Sequence, residues 1–176
     1  MQKNKKFDDY NFVIDRVTKN GNELYYASKE LKDNYNIVYK AVENNGESLK
    51  YASKRLKSNF DIIEKSIEQN GYYVENALGV DDNFFIFKKA VSNNPYSIKF
   101  ASQNLKNNKE LIKIAGINKL ESLYYIEDKH KKNREIVNEI MKLNNQKNKR
   151  YFNQKLIDYK IFFEHLKNFD DILWMI

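Results

Sequence analysis

The sequence repeats itself about every 25 residues, and this period constrains the fold more than any other feature. The stretch NGNELYYASKELKDNYNIV, residues 20–38, returns as NGESLKYASKRLKSNFDII, residues 45–63. The register continues along the chain, and units 1 to 7 are defined here as the segments that begin at Asp8, Asp33, Ser58, Asp82, Asn107, Lys132 and Ile157. A period of this length is typical of arrays of small helical units.

Each unit opens with a signal for the start of a helix. The second residue of every unit is Asn or Asp, namely Asp9, Asn34, Asn59, Asn83, Asn108, Asn133 and Asp158. These side chains accept hydrogen bonds from the unpaired amides of a helix's first turn. Apolar residues follow three, four and eight positions later, as Ile37, Val38 and Val42 do in unit 2. The spacing predicts a first helix with one buried stripe.

A stop signal and a second apolar motif follow. The stops are Asn20-Gly21, Asn45-Gly46, Asn70-Gly71 and Asn94-Pro95. Glycine just past a helix can take the left-handed conformation that closes the last turn, and proline cannot continue a helix, so we expect the first helix to end at these pairs. A β-hairpin turn is the other use of Asn-Gly, but the flanking 3.6-residue period excludes it. We then predict a second helix over Leu24-x-Tyr26-Ala27-Ser28, with Leu31 completing its apolar face.

A single unit is too small to fold alone, because its few apolar side chains cannot offset the entropy of ordering its backbone. Stacking each helix pair on the next buries both faces of the interior units. The sequence therefore predicts an all-α chain, a short right-handed α-solenoid of about seven helix pairs, as a single domain over residues 1–176. We expect an aromatic cap on the last unit, formed by Phe162, Phe163, Leu166, Leu173 and Trp174.

The order of these motifs resembles a known family. Asp-Asn, an apolar helix, Asn-Gly and Leu-x-Tyr-Ala-Ser are similar to the tandem helical repeats called domain of unknown function 4116. The likeness is close from about Phe7 to Leu56, clear again from Asp82 to Leu105, and weaker elsewhere. Each unit of that family would hold two of the repeats defined here. The resemblance implies a helical-repeat fold and supplies no activity.

Residues that could carry catalysis are scattered along the chain. The sequence has no Cys, no Gly-rich phosphate loop and no nucleophile motif, and His130 and His165 lack a partner at metal-ligand spacing. Acidic pairs such as Asp81-Asp82 fall between units, where carboxylates complement helix N-termini. We therefore predict a protein that is not an enzyme and that uses no cofactor and no metal.

Membrane and export signals are also missing from the sequence. No apolar run reaches the roughly 20 residues that a membrane span needs. The basic N-terminus is not followed by the apolar segment of a signal peptide. We expect a cytoplasmic protein with no membrane partner.

Positive charge is the one feature that points beyond a scaffold. The chain carries a formal net charge of +7, and the residue before an interior unit is Lys in four of five cases, Lys32, Lys57, Lys106 and Lys131. In a stack, equivalent positions share one edge, so these lysines would form a broken ladder, interrupted by Asp81, with Lys54, Arg55 and Arg134 nearby. A merely solvated rim is the alternative interpretation.

Such a ladder would suit an acidic protein surface or a phosphate backbone. About four phosphate contacts give only weak, salt-sensitive binding to nucleic acid, and base recognition favours Arg over Lys. A protein partner is therefore our first hypothesis, as for a small bacterial or mobile-element inhibitor or adaptor. A nucleic-acid-binding solenoid is the alternative.

Unit 3 departs from the repeat. It reads Val74-Glu75-Asn76-Ala77-Leu78 in place of the second motif and is one residue shorter than its neighbours. Tyr72 and Tyr73 flank the irregularity, and aromatic side chains in such places are good anchors for a protein partner. Ordinary drift between repeats explains the irregularity equally well.

Overall fold

The computed structural model of the chain describes residues 5–131 and 133–147, and within these ranges it is helical and contains no β-strand. The prediction of an all-α chain is confirmed for this part. A 3-10 helix, Lys5–Asp8, comes first. The long helices are α1 (Tyr10–Lys19), α2 (Tyr35–Asn44), α3 (Phe60–Gln69), α4 (Phe84–Asn93), α5 (Lys109–Asn118) and α6 (Arg134–Lys147). Unit 7 and the expected aromatic cap lie outside the described residues.

The long helices start where the sequence predicts. The caps Asp9, Asn34, Asn59, Asn83, Asn108 and Asn133 each accept a hydrogen bond from the amide three residues later, at 2.8 to 3.2 Å. Each bond satisfies one of the amides that a helix N-terminus leaves unpaired. The seventh expected cap, Asp158, lies outside the described residues.

The apolar stripe of the long helices forms the core. Its fully or almost fully buried members include Val13, Val17, Ile37, Val38, Val42, Ile62, Ile63, Ile67, Phe87, Val91, Leu111, Ile112 and Ile136. The long helices contact one another in chain order, α1 with α2 and onward to α6. Each interior helix thus packs between its two neighbours in sequence, which accounts for apolar residues three and four positions after every cap.

The second helix of a unit is two pieces, which corrects the prediction of one continuous helix. In unit 1, a 3-10 helix spans Gly21–Tyr26 and a short α-helix spans Lys29–Lys32. Ser28 separates them, because its amide donates to the carbonyl of Phe7 at 3.0 Å and its hydroxyl accepts from the amide of Leu31 at 3.3 Å. The serine therefore ends one helix, starts the next and bonds the preceding segment.

The other units follow the same plan with one exception. Their 3-10 helices are Gly46–Tyr51, Gly71–Asn76, Pro95–Phe100 and Leu120–Tyr125. Short helices follow at Leu56–Ser58, Gln103–Lys106 and Asp128–Lys131. Unit 3 has an irregular segment, residues 77–83, in this place.

The long helices end at the predicted stops, but the glycines that follow them are not left-handed. Among the described glycines only Gly79 has a positive φ, 71°. A Cβ on Gly21 would lie 2.2 Å from the carbonyl oxygen of Ala41, and one on Gly71 would lie 1.9 Å from that of Ala90. Glycine is needed there because the backbone touches the long helix of the next unit.

A row of side-chain amides ties each glycine turn to the next unit. The amides of Gly21, Gly46 and Gly71 each donate at 2.7 Å, to Asn44 Oδ1, Gln69 Oε1 and Asn93 Oδ1 respectively. The amide nitrogens of the same three side chains donate to backbone carbonyls near the end of the preceding long helix. Asn44 donates to Thr18, Gln69 donates to Val42 and Glu43, and Asn93 donates to Glu68. We call Asn44, Gln69 and Asn93 the amide row. In unit 4, Pro95 holds the glycine position and has no N–H to donate.

Candidate functional site

The predicted lysine ladder lies in the junctions, which we define as the residues between each 3-10 helix and the next long helix. Backbone hydrogen bonds join successive junctions. The amide of Ser53 donates to the carbonyl of Lys32, and that of Leu78 donates to the carbonyl of Lys57, both at 2.9 Å. The structure therefore joins each of these junctions to the next through a backbone hydrogen bond.

The side chains of the ladder are less accessible than their positions suggest. Lys131 is buried, and its ammonium pairs with Asp128 Oδ1 at 2.9 Å. Lys32 donates to the carbonyl of Tyr25 at 2.7 Å. Burial lowers the pKa of Lys32 and of Lys57, and Lys106 is also half-buried. The ladder lysines are therefore less accessible to a ligand than four fully solvated amines would be.

The three cations expected near the ladder are exposed. Arg55 Nε lies 3.0 Å from Asp33 Oδ1, and Arg55 Nη2 donates to the Asp33 carbonyl at 2.7 Å. The hydroxyl of Ser53 also bonds this carboxylate, and Ser53 and Arg55 together lower the pKa of Asp33. Arg55 thus joins two junctions. Lys54 lies beside it, and Arg134 is the first residue of α6.

The two tyrosines singled out in unit 3 are half-buried and hold units together. The ring of Tyr72 packs edge-on against Phe100 with centroids 4.9 Å apart, and its hydroxyl bonds the ammonium of Lys99. This bond raises the pKa of Lys99. Tyr73 covers Gly46, where a Cβ would lie 2.9 Å from Tyr73 Cδ2. Tyr72 therefore faces unit 4, and Tyr73 faces unit 2.

Exposed aromatic rings stand at the ends of the 3-10 helices of units 1 and 5. Tyr25 and Tyr26 are 58% and 59% exposed, and Tyr124 and Tyr125 are 49% and 43% exposed. Tyr51 and Phe100 occupy the position of Tyr26 and Tyr125 in units 2 and 4, and both are half-buried. We call Tyr25, Tyr26, Tyr51, Phe100, Tyr124 and Tyr125 the aromatic row.

Rings within this row touch, since the centroids of Tyr25 and Tyr51 lie 5.3 Å apart. The recurring aromatic residue of Leu-x-Tyr is the sequence signal for the row. A single continuous second helix would place it on the buried face, so the sequence interpretation missed its exposure.

The outer surface of the long helices is charged, but its charges are paired between neighbours. Lys88 of α4 lies 2.7 Å from Glu110 of α5, and Lys113 of α5 lies 2.5 Å from Glu139 of α6. Exposed pairs of this kind contribute little stability each. They leave this surface with less net charge than its composition suggests.

No metal or membrane site was found in the part of the chain that the structure describes. Residues 5–131 and 133–147 hold no group of three or more His, Cys, Asp or Glu side chains that could bind a metal, and none of their helices could span a membrane. His130 Nε2 lies 3.0 Å from Asn107 Oδ1, and burial lowers the pKa of the imidazole. His130 therefore joins the two ends of unit 5.

Glu127 is the most perturbed carboxylate of the described residues. Lys129 Nζ lies 2.6 Å from Glu127 Oε2, and Asn107 and Gln103 donate to Oε1. These bonds lower the pKa of Glu127 from 4.5 to about 2, and the bond from Lys129 has the largest effect. Glu127 occupies the position of Ser28 and Ser53, so a carboxylate acceptor replaces a hydroxyl donor at the junction of units 5 and 6.

Comparison with known proteins supports the repeat rather than any activity. The family model described as Domain of unknown function (DUF4116) matches residues 9–57, 34–78 and 86–126. No match to the chain was found among curated proteins or solved structures. The three matches cover more than half of the chain, and the first two overlap over residues 34–57, about the length of one unit. The chain therefore belongs to the DUF4116 family of repeated domains.

Proposed function

We propose that the chain is a short right-handed α-solenoid that binds another protein through its aromatic row. Contacts in chain order between successive long helices support the solenoid, since arrays of this kind are built from nearest-neighbour interfaces. The role is that of a non-catalytic interaction module of the cytoplasm, such as an inhibitor or adaptor of a larger assembly.

Exposure of the four tyrosines in units 1 and 5 of the aromatic row is the observation that carries this proposal. Tyrosine rings combine a large apolar surface with a hydroxyl and few rotatable bonds, and they are enriched among the residues that dominate binding energies. Tyr25 and Tyr26 stand at one end of the described units, and Tyr124 and Tyr125 stand at the other. An extended segment of a partner could contact several units at once.

Lysines interleave with these rings and indicate the charge of the partner. The ammonium of Lys32 lies 5.6 Å from the ring centroid of Tyr25, and that of Lys50 lies 5.0 Å from the centroid of Tyr51. Lys99 lies 4.5 Å from the centroid of Phe100. Lys50 also pairs with Glu47 Oε1 at 2.5 Å, and Lys99 bonds the hydroxyl of Tyr72, so an acidic and apolar partner segment would compete with these contacts for the lysines while it packs on the rings.

Nucleic acid is the weaker alternative, because the structure buries Lys131 and half-buries the other lysines of the ladder. Non-specific binding to nucleic acid depends on releasing counterions from phosphates at accessible cations.

A displayed library of random peptides is the direct test. We expect the purified chain to enrich peptides that combine acidic and apolar residues. Tyr25→Ala and Tyr124→Ala together should weaken their binding at least tenfold, as measured by fluorescence anisotropy of one enriched peptide. Phe85→Ser is the matched control, since it removes an exposed aromatic ring outside the row and should leave the affinity unchanged.

Two outcomes would contradict the proposal. One is peptide binding that the tyrosine changes leave intact. The other is retention of a labelled single-stranded RNA, with a steep salt dependence and no peptide enrichment, which would favour the nucleic-acid alternative.

A further inference from the structure

The Asn-Gly pairs that end the long helices of units 1 to 3 are chemically reactive sequences. They are Asn20-Gly21, Asn45-Gly46 and Asn70-Gly71. In such a pair the backbone nitrogen of the glycine can give up its proton to hydroxide and attack Cγ of the asparagine. The new C–N bond closes a succinimide ring, while the bond from Cγ to Nδ2 breaks and Nδ2 takes a proton from water and leaves as ammonia. Water then opens the ring to aspartate or isoaspartate. Glycine favours the attack because it has no Cβ to hinder it.

The amide row holds the attacking nitrogen at all three pairs. The glycine amides donate at 2.7 Å to Asn44, Gln69 and Asn93, each the last residue of the next long helix. The three glycines are themselves buried. A bonded, buried amide loses its proton only when the structure opens locally. The nitrogen therefore cannot attack until its bond to the row has broken.

The asparagine side chain that would be attacked is held as well. Each Oδ1 accepts a hydrogen bond from the amide two residues later, at 2.9 to 3.1 Å. Asn70 Oδ1 accepts a second bond, from Asn94 Nδ2 at 2.9 Å. The three asparagines share one extended backbone conformation, with φ between −144° and −155° and ψ between 103° and 117°. Both reacting groups are thus fixed by the same turn.

We infer that these Asn-Gly pairs are latent deamidation sites, and that each side chain of the amide row suppresses succinimide formation in the unit before it. Isoaspartate would lengthen the main chain by one carbon beside the glycine that touches the next unit. Loss of one bond of the row would therefore lead to permanent damage at that contact. Asn94-Pro95 is a control within the chain, because the proline nitrogen has no proton to lose and cannot attack in this way.

Deamidation of the full chain, measured site by site, tests this inference. The protein is incubated in mildly alkaline buffer, and mass spectrometry of its peptides gives the rate of ammonia loss at each pair. We expect all three pairs to react at least tenfold more slowly in the native chain than in the chain unfolded by guanidinium.

Single changes in the row assign the protection. Gln69→Ala should accelerate deamidation of Asn45 at least tenfold and leave Asn20 and Asn70 at their parent rates. Asn93→Ala should act in the same way on Asn70 alone. Gln69→Asn is the matched control, since asparagine makes the same contacts at the equivalent positions Asn44 and Asn93, and it should keep Asn45 slow.

Three results would overturn the inference. A native chain that deamidates as fast as the unfolded one would show that the fold gives no protection. An unchanged rate at Asn45 in Gln69→Ala would assign the protection to backbone packing instead of the row. Equal acceleration at all three pairs in both alanine variants would assign it to global stability. Circular dichroism checks that each variant keeps its helical content.

Discussion

Replacing Gly71 by Ala tests the close contact between units at its tightest point. The new Cβ would lie 1.9 Å from the carbonyl oxygen of Ala90, and ordinary contact begins at 3.4 Å, so the two backbones must separate by 3.4 − 1.9 = 1.5 Å. Overpacking of this kind costs about 1–3 kcal/mol. The separation also strains the 2.7 Å bond from the Gly71 amide to Asn93, whose loss costs about 1 kcal/mol more.

The expected loss in the free energy of unfolding is therefore about 2–4 kcal/mol. Urea denaturation followed by circular dichroism at 222 nm measures it. With a slope of about 2 kcal/mol per molar, the midpoint should fall by about 1–2 M. Gly79→Ala is the matched control, since its Cβ meets nothing within 4 Å and its cost is only that of a left-handed backbone, about 1–2 kcal/mol. A Gly71→Ala protein within about 0.5 kcal/mol of the parent would refute the reasoning.

Three further changes probe the caps, the acid response and the surface pairs. Asn59→Ala should lower the free energy of unfolding by about 1 kcal/mol in urea denaturation, because it removes the N-cap of α3, whereas Asn59→Asp should leave it nearly unchanged; equal losses would count against the cap. Glu127 has a folded pKa of about 2 against an ordinary value of 4.5, so it stabilises the fold above pH 4.5 and its contribution is lost as the pH falls from 4.5 to 2. Glu127→Gln should make stability fall less steeply across that window, and an unchanged acid limb would contradict the assigned bonds. Arg55→Ala should cost less than about 1 kcal/mol, since its pair with Asp33 is exposed, and the cost should shrink further in high salt; a larger, salt-independent loss would show that Arg55 acts through packing.

The sequence predicted the long helices well because their determinants are local. The cap at Asn34 and the stripe of Ile37, Val38 and Val42 lie within nine residues, and the structure confirms both. The break of the second helix at Ser28 was missed because it depends on a bond between distant residues. The Ser28 amide donates to the carbonyl of Phe7.

The same limit explains the two other differences. Glycine is required at Gly21 by Ala41 of the next unit, which no local rule reveals. The accessibility of the ladder lysines depends on contacts that sequence position does not specify, such as the pair of Lys131 with Asp128 and the burial around Lys57. The exposure of Tyr25 and Tyr26 was missed because the sequence interpretation continued one helix past Tyr26, where the 3-10 helix ends.

Hydrogen exchange at the three turn glycines, measured by nuclear magnetic resonance, tests most directly the claim that each unit is held by its neighbours in sequence. In the native state the Gly46 amide is bonded to Gln69, while the Gly21 and Gly71 amides are bonded to Asn44 and Asn93. With Gln69→Ala, we expect exchange at Gly46 to accelerate at least tenfold while Gly21 and Gly71 keep their parent rates. Unchanged exchange at Gly46, or equal acceleration at all three glycines, would contradict an array built from nearest-neighbour bonds.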